Sequence, residues 1–327
     1  MKIAYYESLG RAADVLKIGE AEKPEPGPGE VLVKIAASGL NPTDIKARTG
    51  FSVGMPFPKI IPHQDGAGII EEVGKGVSNS RIGERVWLYE TQYGRATGTA
   101  AEYVAVQSQN AVILPDNVSF EIGASLGIPA LTAYRCLFAD GDLKGRRVLV
   151  HGGAGVVGNA AILLAKSAGA WVAATVRNDA QGKIAKAAGA DLVIHRYDDD
   201  VIEFIKDCTE GKGVDRIVDV NLMENLDLNI SCLSQGGVIS AYATPDADST
   251  IAVPLLKAMK HGCVLRFVYI YNVPLTEKII SVIEVNKLLA LGLYNPNIGA
   301  TYEFTDIVSA HEALESGRII GKILLNI

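Results

Sequence analysis

The chain has 327 residues, of which 48% are apolar and 21% charged, and its formal net charge is −6. That length exceeds what one hydrophobic core usually supports, so two packed domains are expected, and the apolar content excludes a largely disordered chain. The acidic balance and the scattered Lys and Arg exclude a nucleic-acid footprint.

The opening Met1-Lys2-Ile3-Ala4-Tyr5-Tyr6-Glu7 lacks the pattern of a secretory leader. No run of about 18 uncharged apolar residues follows, so a cytoplasmic location without a membrane partner is expected. Cys136, Cys208, Cys232 and Cys263 lie far apart without metal-ligand spacing. They read as buried thiols in a reducing compartment.

The first 120 or so residues alternate short apolar runs with Gly and Pro, which predicts an antiparallel, strand-rich domain. Val31 to Ile35, Ala67 to Val73, Arg85 to Tyr89 and Ala101 to Val106 read as strands, and Pro24 to Gly29 as a loop. From about Leu143, short buried strands alternate with helical stretches, the pattern of a parallel sheet covered on both faces. Val148 to Val150, Trp171 to Val176, Asp191 to Ile194, Asp215 to Val220, Gly237 to Tyr242 and Val264 to Ile270 are the expected strands. Helices are expected between them, with a long one from about Pro274 to Leu291. A strand near Tyr302 to Phe304, a helix beyond Asp306 and a last strand Lys322 to Asn326 should return to the first domain.

The strongest motif is His151-Gly152-Gly153-Ala154-Gly155-Val156-Val157-Gly158, in which Gly153, Gly155 and Gly158 complete GxGxxG. It follows a strand and opens a helix, the context in which this pattern marks a dinucleotide site. Glycines allow the turn, the approach of backbone to pyrophosphate and close helix packing, while the helix N-terminus offers unpaired N–H groups to the anion. An NAD site would carry an acid about 20 residues beyond the loop for the ribose hydroxyls. Thr175-Val176-Arg177-Asn178 has none and supplies Arg177, which points to NADPH.

With Leu126 to Tyr134, Gly39 to Asp44, Asp65 to Ile69 and the ending Gly321 to Leu325, these runs resemble the quinone oxidoreductase and zeta-crystallin branch of the medium-chain dehydrogenase/reductase superfamily. The resemblance spans essentially the whole chain. It implies an α/β fold in which a Rossmann doubly wound parallel sheet, residues 125–270, joins a strand-rich GroES-like catalytic domain made of residues 1–124 and 271–327. Zinc-dependent relatives hold a cysteine at the place of Asn41 and a His-Glu pair at the places of Gln64 and Asp65. An amide offers neither thiolate nor imidazole, so no metal is expected. His63, beside Gln64, reads as a hydrogen-bonded loop residue.

By position, the resemblance places Thr132 near the nicotinamide, Gly155, Val156, Val157 and Gly158 over the pyrophosphate, and Arg177 and Arg196 beside the adenosine phosphate. Asn221, Tyr242 and Ala243 should lie along the cofactor, Val268, Tyr269 and Ile270 near its carboxamide, and Lys322 could reach it from the tail. Lys46 and Arg196 depart from the family pattern, which has tyrosine at the first position and tyrosine or histidine at the second.

Asn41, Asp44 and Gln64 are candidate substrate-lining residues, each also able to serve only its own loop. A quinone needs only a hydride donor held close and kept from water, so NADPH-dependent quinone reduction is the expected activity. An enone or alkenal double-bond reductase and an idle NADPH-binding protein are the alternatives. The apolar Val264 to Ile270 edge, together with the resemblance, points to a homodimer.

Overall fold

The computed structural model describes residues 1–51 and 54–327. The chain divides into two compact units, residues 1–128 with 298–327, and residues 129–297.

In the first unit, alternation of apolar and polar residues builds a seven-stranded sheet in which Glu30–Gly39 is central. It pairs antiparallel with Asp65–Val73, Tyr103–Gln107 and the final strand Lys322–Asn326. Val31, Val33, Ile35, Ile70, Val86, Leu88, Val104 and Val106 fill one core. A second forms around Ile3, Tyr6, Leu40, Ile60, Ile307, Ile323 and Leu325. The final strand therefore carries residues from the far end of the chain into the middle of this unit, and Ile298–Glu303 extends the sheet as a parallel edge.

Short helices at Pro42–Thr49 and Phe120–Ala124 escape the strand-rich expectation, because neither is long enough to show a helical period. Proline at the first turn and Asn41 before it mark the start of the first; Gly50, at φ 77°, ends it.

The second unit is a six-stranded, all-parallel sheet in the order Leu192–His195, Trp171–Val176, Arg147–Val150, Val214–Asp219, Leu233–Ala241, Val264–Phe267. Read by chain position this is 3-2-1-4-5-6, the doubly wound order, with the switch point beside Arg147–Val150. Its core gathers Leu149, Ala173, Ile194, Ile205, Ile217, Ile230 and Ile239.

Two expectations are corrected here. The last strand stops at Phe267, and Ile270–Asn272 forms a 3-10 turn instead of continuing it. Residues 271–297, expected in the first unit, belong to the second. The helix Leu275–Ala290 is fastened there by Arg135 on Glu277 at 3.1 Å.

Candidate functional site

In the first unit, the candidate residues gather around one buried carboxylate. Asp65 begins its strand fully buried; its Oδ2 accepts from the Lys322 ammonium at 2.7 Å and from Asn41 Nδ2 at 2.8 Å. Its Oδ1 accepts the Ile128 N–H at 2.9 Å. Lys322 also donates to Asn41 Oδ1 at 2.8 Å, so both ends of the Asn41 amide and two of the ammonium's protons are committed. Asn41 caps the helix Pro42–Thr49, and its backbone N–H donates to Asp44 Oδ2 at 2.7 Å.

The structure thus brings Asn41, Asp44 and Lys322 together. Lys322, expected along a cofactor, is buried in the first unit against Asn41 and Asp65. Gln64 follows a different path: its amide pairs twice with Gln92, at 3.1 Å each way. Lys46 lies over the Phe51 ring, 4.2 Å from its centroid.

A second buried chain leads away from Asp65. Thr99 donates its hydroxyl to the Asp65 carbonyl at 2.6 Å, which leaves Ser38 to donate to Thr99 at 2.7 Å. Ser38 must then accept from His63 Nδ1 at 2.8 Å, and His63 Nε2 must accept from His311 Nε2 at 3.0 Å. Both rings are neutral: burial, then the neighbouring His311 and Lys322, holds His63 well below the usual histidine range, and burial and Arg48 bring His311 down to about 3. His63 is also strained, with φ at 82°. Among the described residues, no three His, Cys, Asp or Glu side chains are grouped to share a metal ion.

In the second unit, the glycine turn links the strand Arg147–Val150 to the helix Val156–Ser167. A Cβ at Gly158 would stand 2.2 Å from the Gly152 carbonyl oxygen, and one at Gly153 would stand 2.7 Å from Ala174 Cβ. Only glycine allows this approach of turn, helix and neighbouring strand. Gly155 precedes the helix without a capping side chain, so Val156 and Val157 stand in the N-terminal turn, whose first N–H groups have no intrahelical partner.

The next strand ends in Thr175 and Val176, followed by exposed Arg177 and by Asn178, whose side chain caps the helix Asp179–Ala187. No acid stands at Arg177 or Asn178; the first is Asp179, in the opening turn of that helix, 3.5 Å from His195 Nε2. Arg196 lies alongside, its N–H donating to the Val176 carbonyl at 2.9 Å. Its guanidinium is held by Asn225 at 2.5 Å and Glu224 at 3.0 Å. Tyr242, Ala243, Val268 and Tyr269 line one mostly apolar cavity of about 470 Å³ with Leu222 and Phe267. Ile270 is buried just beyond it, Asn221 precedes the helix Leu222–Cys232, and Thr132 is buried in the helix Gly127–Phe138.

Sequence reasoning missed His151, Asp219, Asn225 and Asn229, all buried beneath the turn. Asn221, Asn225 and Asn229 recur every fourth residue, a polar stripe on one helix face that was there to be read.

Comparison with known proteins fits this geometry. The family model described as alcohol dehydrogenase GroES-like domain matches residues 27–116, and that described as zinc-binding dehydrogenase matches residues 156–284. Human quinone oxidoreductase is 30% identical over 315 residues, covering 95% of this chain and 94% of that protein. The chain belongs to the quinone oxidoreductase branch of the medium-chain dehydrogenase/reductase superfamily. Among solved structures, an NAD-dependent alcohol dehydrogenase superposes with a TM-score of 0.88 at 26% identity, and the Escherichia coli quinone oxidoreductase complexed with NADPH with 0.84 at 26%; both pairs are covered completely. This member of the superfamily is thus an oxidoreductase with the Rossmann-plus-GroES-like architecture.

One carboxyl in its first unit has an unusual proton balance. Burial, opposed by the Asn41 N–H and Lys322 and reinforced by Asp65, pushes Asp44 from 3.8 up to about 8, and its Oδ1 lacks a hydrogen-bond partner among the described residues. Between those values the folded chain keeps a proton that the unfolded chain has released. Asp44 therefore contributes stability fully present below pH 3.8 and lost as pH rises toward about 8. The stability of the wild type minus that of Asp44→Asn, measured by thermal or urea unfolding, should fall across this window. A flat difference would refute the protonated carboxyl.

Proposed function

We propose that the chain is an NADPH-dependent quinone oxidoreductase that works without zinc. The observation that carries this reading is the glycine turn followed by a strand that ends at exposed Arg177, with no acid from Thr175 to Asn178, in a chain related to quinone oxidoreductases. The close approach enforced by Gly153 and Gly158 suits a pyrophosphate on the N-terminal turn of Val156–Ser167. Arg177 would take the 2′-phosphate, with Asn178 and Arg196 beside it; Thr132, Asn221, Tyr242, Ala243, Val268, Tyr269 and Ile270 would hold the rest of the dinucleotide. When bound, NADPH supplies a hydride. Quinone is the proposed acceptor because its reduced form collects protons from water without a dedicated acid.

A second reading, reduction of an enone or alkenal double bond, is favoured by Asp44, a buried carboxyl that keeps its proton to about 8. Such a reduction gains from a proton donor. NADPH oxidation with 1,4-benzoquinone, 9,10-phenanthrenequinone and 2-alkenals separates the two. Turnover of the quinones is expected, and turnover of alkenals alone would replace the first reading with the second.

NADPH should bind more tightly than NADH. Charge-assisted hydrogen bonds are worth about 1.5–3 kcal/mol, so Arg177→Ala should weaken NADPH roughly tenfold or more and leave NADH nearly unchanged. Equal affinity of the unmutated protein for both cofactors in a fluorescence titration would defeat the assignment.

Asn41 and Gln64 are engaged by Lys322 and Gln92, respectively. Dialysis against a strong chelator should therefore leave turnover intact; stoichiometric zinc by elemental analysis, lost together with activity, would show the opposite.

The strand Val264–Phe267 is the edge of its sheet, and Phe267 is 68% exposed, as Leu255, Leu256 and Met259 are to a similar degree. The Val268 N–H is spent on the Ala241 carbonyl at 2.8 Å, so strand alternation leaves the Phe267 N–H on the open side. A homodimer joined edge to edge would use that donor and cover the Phe267 ring. Phe267→Pro should yield monomers in sedimentation analysis, whereas a fully dimeric variant or a monomeric wild type would exclude this interface.

A further inference from the structure

Beneath the glycine turn, buried polar side chains join into a hydrogen-bond chain whose direction the donors decide. The Gly152 N–H donates to Thr175 Oγ1 at 3.3 Å, and Thr175 stands 3.1 Å from His151 Nδ1. His151 Nε2 lies 2.7 Å from Asn229 Oδ1, and Asn229 Nδ2 donates to Asp219. The Asn229 carbonyl can only accept, so His151 carries its hydrogen on Nε2, and the Thr175 hydroxyl donates to Nδ1. Asp219 also accepts the Asn221 N–H and, at 3.4 Å, Asn225 Nδ2; the Asn225 carbonyl then accepts from Arg196 at 2.5 Å. Every link has one donor and one acceptor. The charged groups around His151 are Asp219 and Arg196, and burial outweighs the Asp219 charge to hold the imidazole below the usual range, hence neutral.

We infer that this chain positions both anion-binding ends of the dinucleotide site: Asn229 and His151 set the turn through Gly152, and Asn225 sets Arg196 for the 2′-phosphate. The inference rests on the dinucleotide binding proposed above. Gly152 is the lever. Its N–H, in the peptide after His151, is held by Thr175, while its carbonyl, in the next peptide, accepts the Gly155 N–H at 2.9 Å and lies where a Gly158 side chain would stand, so anchoring the first peptide fixes the point from which the second meets the start of the helix Val156–Ser167. Arg196, the other end, is only half-buried and is steered by Asn225 from within and by Glu224 from the surface. His151, Asn225 and Asn229 are therefore positioning residues; none needs to touch the cofactor.

The two halves predict different losses in the full-length protein. Asn229→Leu, of similar volume, should weaken NADPH and NADH by the same factor, roughly tenfold, with kcat at saturating cofactor little changed. Asn225→Leu should weaken NADPH by a comparable factor and leave NADH nearly unaffected. Calorimetric titration of each folded variant with each cofactor reads both factors. Unchanged affinities, or an equal loss of both cofactors in both variants, would overturn the assignment. If a variant does not fold, nitrogen-15 NMR of wild-type His151 decides: the Nε2–H tautomer is expected at neutral pH, and the Nδ1–H tautomer or an imidazolium would break the chain. A wild type that binds neither cofactor would instead refute the dinucleotide reading, while the tautomer still reports on the chain.

Discussion

Asp65 is fully buried, and a carboxylate withdrawn from water must find both a counter-charge and hydrogen-bond donors or lose its charge. It finds them in Lys322, 257 residues away, in the Asn41 amide and in the Ile128 N–H. Satisfying this one group draws the final strand, the turn before Pro42–Thr49 and the segment after Phe120–Ala124 to a common point. The fit is close enough that a Cβ at Gly127 would stand 2.1 Å from Asp65 Oδ1, and one at Gly39 2.8 Å from Lys322 Cε. Glycine at these positions allows the approach on which the ion pair depends.

The second unit meets the same constraint without an ion pair of that kind. Asp219, also fully buried, is surrounded by the donors of Asn221, Asn225 and Asn229, and the nearest guanidinium reaches it only through the Asn225 amide. Neutral amides leave the charge less screened within the protein than a direct lysine would. They also transmit direction, because each amide must donate at one end and accept at the other. An ion pair locks Asn41 and Lys322 in the first unit, whereas an oriented network links the glycine turn to Arg196 in the second.

Much of the architecture was legible in the sequence because its signals are local. The alternation of buried strands and helices after Leu143 and the glycines of the turn each concern neighbouring residues, and the 3-2-1-4-5-6 sheet agrees with them. Apolar residues continue to Ile270 and so predict a longer last strand, while the chain leaves the sheet after Phe267 and turns at Ile270–Asn272. The helix Leu275–Ala290 belongs to the second unit, which its sequence does not reveal, because helical period records one buried face and says nothing about which sheet covers it.

By itself the sequence determined the chemistry on offer: amides at Asn41 and Gln64, a glycine turn, arginine at the strand end and an asparagine stripe from Asn221 to Asn229. Tertiary structure decided what each group spends that chemistry on. The sequence leaves Lys322 able to reach a cofactor from the tail, and folding commits its ammonium to Asp65 and Asn41; the sequence leaves Arg196 free to turn, and folding holds its guanidinium between Asn225 and Glu224. The physical reason is that side-chain types and periodicity are properties of neighbours along the chain. Burial of a charge and the choice of its partners belong to groups that meet only after folding, and the cost of leaving such a charge unpaired selects those partners.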